Sequence, residues 1–251
     1  MSARTASTRT RWHRGVARKA PLLGLVPVAL VAAAILATLG TGRTGTPADP
    51  ASRPAPDEDA VPSGDHFASM NIPEFRGVDQ SGTPRDRSIF TKPERYTVLN
   101  FVFTRCVTVC PITTGQMVRV QGAIKDLPRP PGADPGDRFQ IVSFSVDPAH
   151  DTPEALKAHA ETFADFSVWT FLTADAPTLQ SVVEKGLGFA LEEDRSASID
   201  LGNGESMSNI VHTSKVLLVS PEGKVVAMYR GLDETDIDRL IKRIERTNQS
   251  H

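Results

Sequence analysis

The chain has 251 residues, of which 39% are apolar and 23% charged, ordinary globular usage that allows one good-sized packed domain plus extensions. Its net charge of −2 hides an asymmetry, because the first 19 residues account for +6 and so leave −8 downstream. That acidic remainder argues against a nucleic-acid surface on the main domain.

In chain order, residues 1–20 read as a basic cytoplasmic leader. Residues 21–40 then run for twenty positions without a charge, long enough to cross a bilayer as a helix. The preceding basic residues place the N-terminus in the cytoplasm and the rest outside. Segment 21–42 is therefore expected to be a transmembrane anchor or an uncleaved signal, the stretch being longer than the usual signal-peptide core. The competing reading is a cleaved signal peptide, since small residues are plentiful from Ala37 to Gly42. With no cysteine near its end, a lipoprotein anchor is not expected. Residues 43–64 hold five prolines and no aromatic residue, the composition of an extended linker.

Residues 65–251 form the globular part. Residues 72–90 predict a small hairpin, and 96–103 (YTVLNFVF) a central strand covered on both faces. Pro111 suits the first position of a helix continuing through 112–127. After a Pro- and Gly-rich loop, 139–146 (FQIVSFSV) predicts a second buried strand ended by Asp147-Pro148. Thr152 is placed to cap a helix with Pro153 in its first turn. A short strand at 168–172 and a helix at 176–185 continue the alternation. Residues 186–210 are Gly- and Ser-rich and poorly periodic, and are expected to form a long excursion outside the core. Strands at 215–220 and 224–230 are joined across Pro221-Glu222-Gly223, and Ile237, Leu240, Ile241 and Ile244 share one face of a last helix. The expected fold is α/β: a thioredoxin-like mixed sheet flanked by helices, behind an N-terminal membrane segment.

Cys106 and Cys110, the only cysteines, lie where the buried strand passes into a helix. Four positions apart at a helix start, they can bring both sulfurs to one place. The free N–H groups there favour thiolate over thiol. Such a pair can bind a soft metal or close a disulfide. A purely structural bridge would contribute little, because the loop it closes is short. Two thiolates with one imidazole suit three-coordinate Cu(I) and leave a structural zinc site one ligand short. Among the histidines, spacing alone does not choose His212 over His150.

The chain resembles the Sco/SenC family of copper-binding assembly proteins over approximately residues 70–247. The carriers are Asn100-Phe101-Val102-Phe103-Thr104-Arg105-Cys106, then Cys110-Pro111, then Val146-Asp147-Pro148 with Asp151-Thr152-Pro153-Glu154. The last is His212-Thr213-Ser214 leading to Val219-Ser220-Pro221-Glu222-Gly223. The resemblance implies a thioredoxin fold binding one copper ion through Cys106, Cys110 and His212. Cys106 and Cys110 are also implied as a redox-active pair, and Asp147 as an acid beside the ligands, although Asp147-Pro148 equally suits a strand-ending turn. It further implies assembly of the binuclear copper site of cytochrome c oxidase. Two contrasts stand out. Val107-Thr108-Val109 replaces the Pro-Asp-aliphatic spacer of many members, which removes a carboxylate from the site. No proline precedes His212, unlike the cis-proline of ordinary thioredoxins, which disfavours a general disulfide oxidoreductase.

The expected function is a copper chaperone tethered to the cell membrane, its C-terminal domain extracytoplasmic, serving a copper-receiving oxidase subunit or a similar client. It is a metallochaperone rather than an enzyme in this reading. The alternative is a thiol-disulfide reductase that keeps client cysteines reduced. A peroxidase would need a cation supporting the thiolate, and Arg105, although adjacent in sequence, need not point the same way.

Overall fold

The computed structural model of the chain describes residues 67–250, apart from 202, 203 and 205. The basic leader, the expected membrane segment and the Pro-rich linker lie outside the described residues. No helix among the described residues is long and apolar enough to cross a membrane.

A seven-stranded mixed sheet runs through the domain in the order β2-β1-β5-β4-β3-β8-β9. Its centre is parallel: β3 (Tyr96–Val102) pairs with β4 (Phe139–Ser145), and β4 with β5 (Trp169–Thr173). The expected early hairpin is β1 (Arg76–Asp79) and β2 (Pro84–Asp86), joined antiparallel to β5. On the other side β8 (Lys215–Val219) and β9 (Val225–Arg230) add an antiparallel pair, turned at Gly223, whose φ of 80° favours glycine.

The continuous apolar run of β3 follows from burial on both faces. Leu99, Phe101 and Phe103 enter one core, with Val142, Phe144, Leu179, Val182 and Val183. Val98 and Val102 enter the other, beneath α1 (Cys110–Asp126) and α4 (Glu234–Gln249), where Met117, Val120, Ile124, Ile237, Leu240 and Ile244 are fully buried. Helix α2 (Pro153–Ala160) starts as the sequence indicates, with the Ala155 N–H donating to Thr152 Oγ1 at 3.2 Å. Asp175 caps α3 (Ala176–Gln180), which widens into a π-helical turn at Ser181–Gly186 rather than continuing as α-helix to 185.

The expected excursion at 186–210 does lie outside the seven-stranded sheet, but it is built of strands rather than irregular loop. Glu192–Asp200 (β6) and Ser206–Val211 (β7) form a separate antiparallel hairpin with a bulge between Asp194 and Ser198. The side chains here are poor strand formers, so the sequence shows no period of two. Cross-strand backbone bonding and the burial of Met207 against the core supply the order instead.

Chain direction fixes two opposite ends. The described chain starts beside the β8–β9 turn, where Ile72 N–H donates to Gly223 O and Val225 N–H to Met70 O. The ends of β3 and β4 and the start of β8 lie at the other end of the sheet. The cysteines emerge there.

Candidate copper and thiol site

Helix α1 begins at Cys110 with Pro111 in its first turn, and its N-cap residue Val109 offers no side-chain acceptor. A sulfur takes that role: the Cys110 N–H donates to Cys106 Sγ at 3.4 Å. Cys106 is held in place by a tight turn in which its own N–H donates to Phe103 O at 3.2 Å. The Thr108 hydroxyl lies 3.8 Å from the same sulfur. Both cysteines are buried and unbridged.

The pair is electrically asymmetric. The Cys110 thiol donates to Cys106 and, with the N–H groups of Cys110 and Thr108, outweighs burial and brings Cys106 down to about 4. Donation to Cys106 and burial push Cys110 up, beyond the usual thiol range. At neutral pH the unit is one thiolate accepting from one thiol.

His212 follows β7, at the base of the hairpin, and its ring packs edge-on against Phe103 with centroids 5.6 Å apart. Its Nδ1 lies 3.0 Å from Thr213 O. A carbonyl can only accept, so Nδ1 carries the proton and Nε2 keeps a free lone pair. Burial lowers the ring's pKa, keeping the imidazole neutral as a metal ligand requires. His212 and Cys110 line one small crevice with Asn100, Thr113 and Ser214. Asn100 is buried there with its Nδ2 unpartnered, while its Oδ1 accepts from Ser143. The cysteines and His212 thus face one end of the domain. Among the described residues, however, no three Cys, His, Asp or Glu side chains are gathered closely enough to enclose a metal ion.

Asp147 is buried and engaged elsewhere. Its Oδ2 accepts from Arg105 Nη2 at 2.7 Å and Nε at 3.0 Å, and its Oδ1 lies 2.9 Å from His150 Nδ1. Arg105 is therefore committed to Asp147, and His150 belongs to this cluster. The cluster lines a cleft of about 290 Å³ whose other wall is the hairpin, including Glu192, Met207 and Ile210. The rim at the cysteines is apolar: Val107 and Ile112 are each 53% exposed, Val109 is exposed between the cysteines, and Val211 is exposed next to His212 in sequence. Sequence reasoning passed over Asp151, which stands in the quoted Asp-Thr-Pro-Glu segment and is wholly buried against Thr104. A buried acid cannot be told from an ordinary helix-start acid in a single sequence.

The SCO1/SenC family model matches residues 64–249. The chain belongs to the SCO1/SenC family. It is 35% identical over 147 residues to the SCO1 protein homolog of Bacillus subtilis, spanning 58% of this chain and 67% of that protein. A Stutzerimonas stutzeri protein named for copper binding is 30% identical over 154 residues, 61% of this chain and 66% of that one. Among solved structures, the SCO1/SenC family lipoprotein of Bacillus anthracis superposes with a TM-score of 0.58 at 26% identity, covering 72% of this chain and 96% of that one.

Proposed function

We propose that this protein is a membrane-tethered, extracytoplasmic copper chaperone. It receives one copper ion on Cys106, Cys110 and His212 and passes it to a copper site of cytochrome c oxidase or a similar membrane client. The carrying observation is the donor set at one end of the domain: a thiolate and a thiol at the start of α1, with a neutral imidazole in the Cys110 crevice. Two sulfurs and one imidazole nitrogen are soft to borderline donors that suit copper in either common oxidation state. Copper is cargo here, and its entry releases the Cys110 proton. The similarity to a protein named for copper binding agrees with this reading, and the family resemblance supplies the oxidase client.

Copper titration of the reduced full chain in detergent tests the proposal. Wild type is expected to retain close to one equivalent and, with Cu(II), to show a thiolate charge-transfer band absent in His212→Ala. Failure to retain copper, or unchanged binding in His212→Ala, sinks the proposal.

A second reading is favoured by the thiolate–thiol asymmetry, which suits attack on a client disulfide. Cys106 would form a mixed disulfide that Cys110 resolves, leaving a Cys106–Cys110 bridge and a client dithiol. Reductase activity that survives His212→Ala but not either cysteine substitution would favour this reading.

A further inference from the structure

Asp151 is wholly buried in the loop between β4 and α2, at 0% exposure, and no part of the proposed chemistry uses it. Among the described residues no ion pair neutralises it. Its Oδ1 accepts from Thr104 Oγ1 at 2.6 Å and from the Thr104 N–H at 3.2 Å, and its Oδ2 accepts from Ser145 Oγ at 2.6 Å. The Ser145 hydroxyl in turn accepts the Asp147 N–H at 3.0 Å, so its own proton is directed at Asp151.

These partners have one thing in common. Thr104 is the second residue of the 103–106 turn that carries Cys106, and Ser145 is the last residue of the neighbouring strand β4. The carboxylate grips the turn through both its backbone and its side chain and ties it to the sheet. Burying a carboxylate without a counter-ion is costly and raises the Asp151 pKa, and the three donors offset part of that cost only in this geometry. On the far side of Cys106, its sulfur meets the Cys110 N–H at 3.4 Å and lies 3.8 Å from the Thr108 hydroxyl, groups fixed by the start of α1 and the turn before it. The sulfur reaches them only if the turn is held where it is.

We propose that Asp151 is a positioning residue for Cys106, whose grip on Thr104 sets the redox equilibrium of the Cys106–Cys110 pair. A loosened turn takes the Cys106 sulfur out of reach of the Cys110 N–H, now 3.4 Å away, a contact that holds the reduced pair, and leaves the covalently joined disulfide less affected. Asp151→Ala therefore makes the pair easier to oxidise. The relevant exchange is protein dithiol plus glutathione disulfide giving protein disulfide plus two glutathione thiols.

The test equilibrates the metal-free full chain in detergent with glutathione buffers and counts free thiols by mass after trapping. Asp151→Ala is expected to shift the equilibrium constant toward the disulfide by roughly tenfold or more, the scale of supporting residues around reactive sites. Asp151→Asn keeps an oxygen for Thr104 and can donate to Ser145 Oγ, so it should restore most of the wild-type value. Thr104→Val removes one of the three donors and should shift the equilibrium in the same direction by less. An unshifted Asp151→Ala in a folded protein overturns the proposal, as does Asp151→Asn shifted as far as Asp151→Ala, which would assign the effect to charge. Should Asp151→Ala fail to fold, an unshifted Thr104→Val overturns it. Copper retention by wild type is read separately, so failure of the chaperone reading stays distinguishable.

Discussion

The N–H of Cys110 opens α1 and points at the sulfur of Cys106, 3.4 Å away. This contact caps the helix and, after the larger effect of the Cys110 thiol, helps to leave the charge on Cys106. A serine or aspartate at the cap would serve the helix equally well. With sulfur there, the helix terminus stabilises a thiolate, and Cys110 adds a thiol proton to the same acceptor.

The first prediction is that Cys106 reacts with iodoacetamide at pH values where ordinary thiols are silent. With Cys106 brought down to about 4, the rate should hold nearly constant from pH 7 to pH 5. Cys110→Ala removes the largest cause of that depression, and each unit of upward shift cuts the thiolate fraction below the pKa about tenfold. The linkage has a definite sign. A depressed thiol pKa contributes stability to the reduced fold that is complete above the usual thiol range and lost as pH falls through about 4. A wild-type rate that rises tenfold per pH unit between 5 and 7 would contradict the assignment.

The second prediction concerns His212, whose burial lowers its pKa from the ordinary 6.5. The stability tied to its neutral form is present above that ordinary value and lost as pH falls through the lowered one. Wild type should thus lose stability relative to His212→Ala on acidification from pH 7 to pH 5, measured by urea unfolding of the copper-free protein. Nitrogen-15 NMR should find the proton on Nδ1 at pH 7, held by Thr213 O. A proton on Nε2 would mean that Nε2 is not the free ligand atom.

Much of this was legible in the sequence. Strands β3, β4, β8 and β9 announce themselves through apolar runs and the Pro-Glu-Gly turn, and α2 through Thr152 and Pro153. Two cysteines at a strand-to-helix junction are visible because the junction itself is. The hairpin β6–β7 was not, since Glu, Asp and Ser dominate it and its order comes from pairing across the bulge and from Met207. His212 could be singled out only by resemblance, because its neighbour Phe103 is 109 positions away in sequence. The destinations of Asp147 and Arg105 were equally hidden: an Asp before a Pro ends strands as readily as it pairs with an arginine.

A third prediction follows from the apolar rim. Val107, between the two cysteines in sequence, and Ile112, two residues after Cys110, are each half exposed, and exposed apolar residues of this kind are where the proposed client would dock. Val107→Asp with Ile112→Asp should change stability by no more than about 0.5 kcal/mol each, as surface substitutions usually do. Copper retention should be unchanged. Transfer to a two-cysteine acceptor domain, followed by loss of the donor's absorption band, should slow severalfold. Transfer at the wild-type rate would remove the rim from the docking surface.

The last prediction tests the segment after His212. The Gly231 N–H donates to Ser214 O at 3.0 Å, so the β9–α4 loop backs directly onto residues 213–214. A Cβ at Gly231 would overlap that carbonyl and press on Val216 Cγ2 at 3.1 Å and Thr113 Cγ2 at 3.4 Å. Two of those neighbours are constrained: Ser214 O belongs to the backbone, and Val216 is fully buried in β8. Gly231→Ala should therefore cost about 1–3 kcal/mol, the range for overpacking, measured by urea unfolding. Ser214 and Thr113 also line the crevice of Cys110 and His212, so the displaced segment should carry the imidazole with it. The variant is expected to retain copper more weakly than wild type while its cysteines alkylate normally, which separates a displaced histidine from a damaged thiol pair. Full stability with unchanged copper retention would show that the 213–214 segment yields freely and does not hold His212 in place.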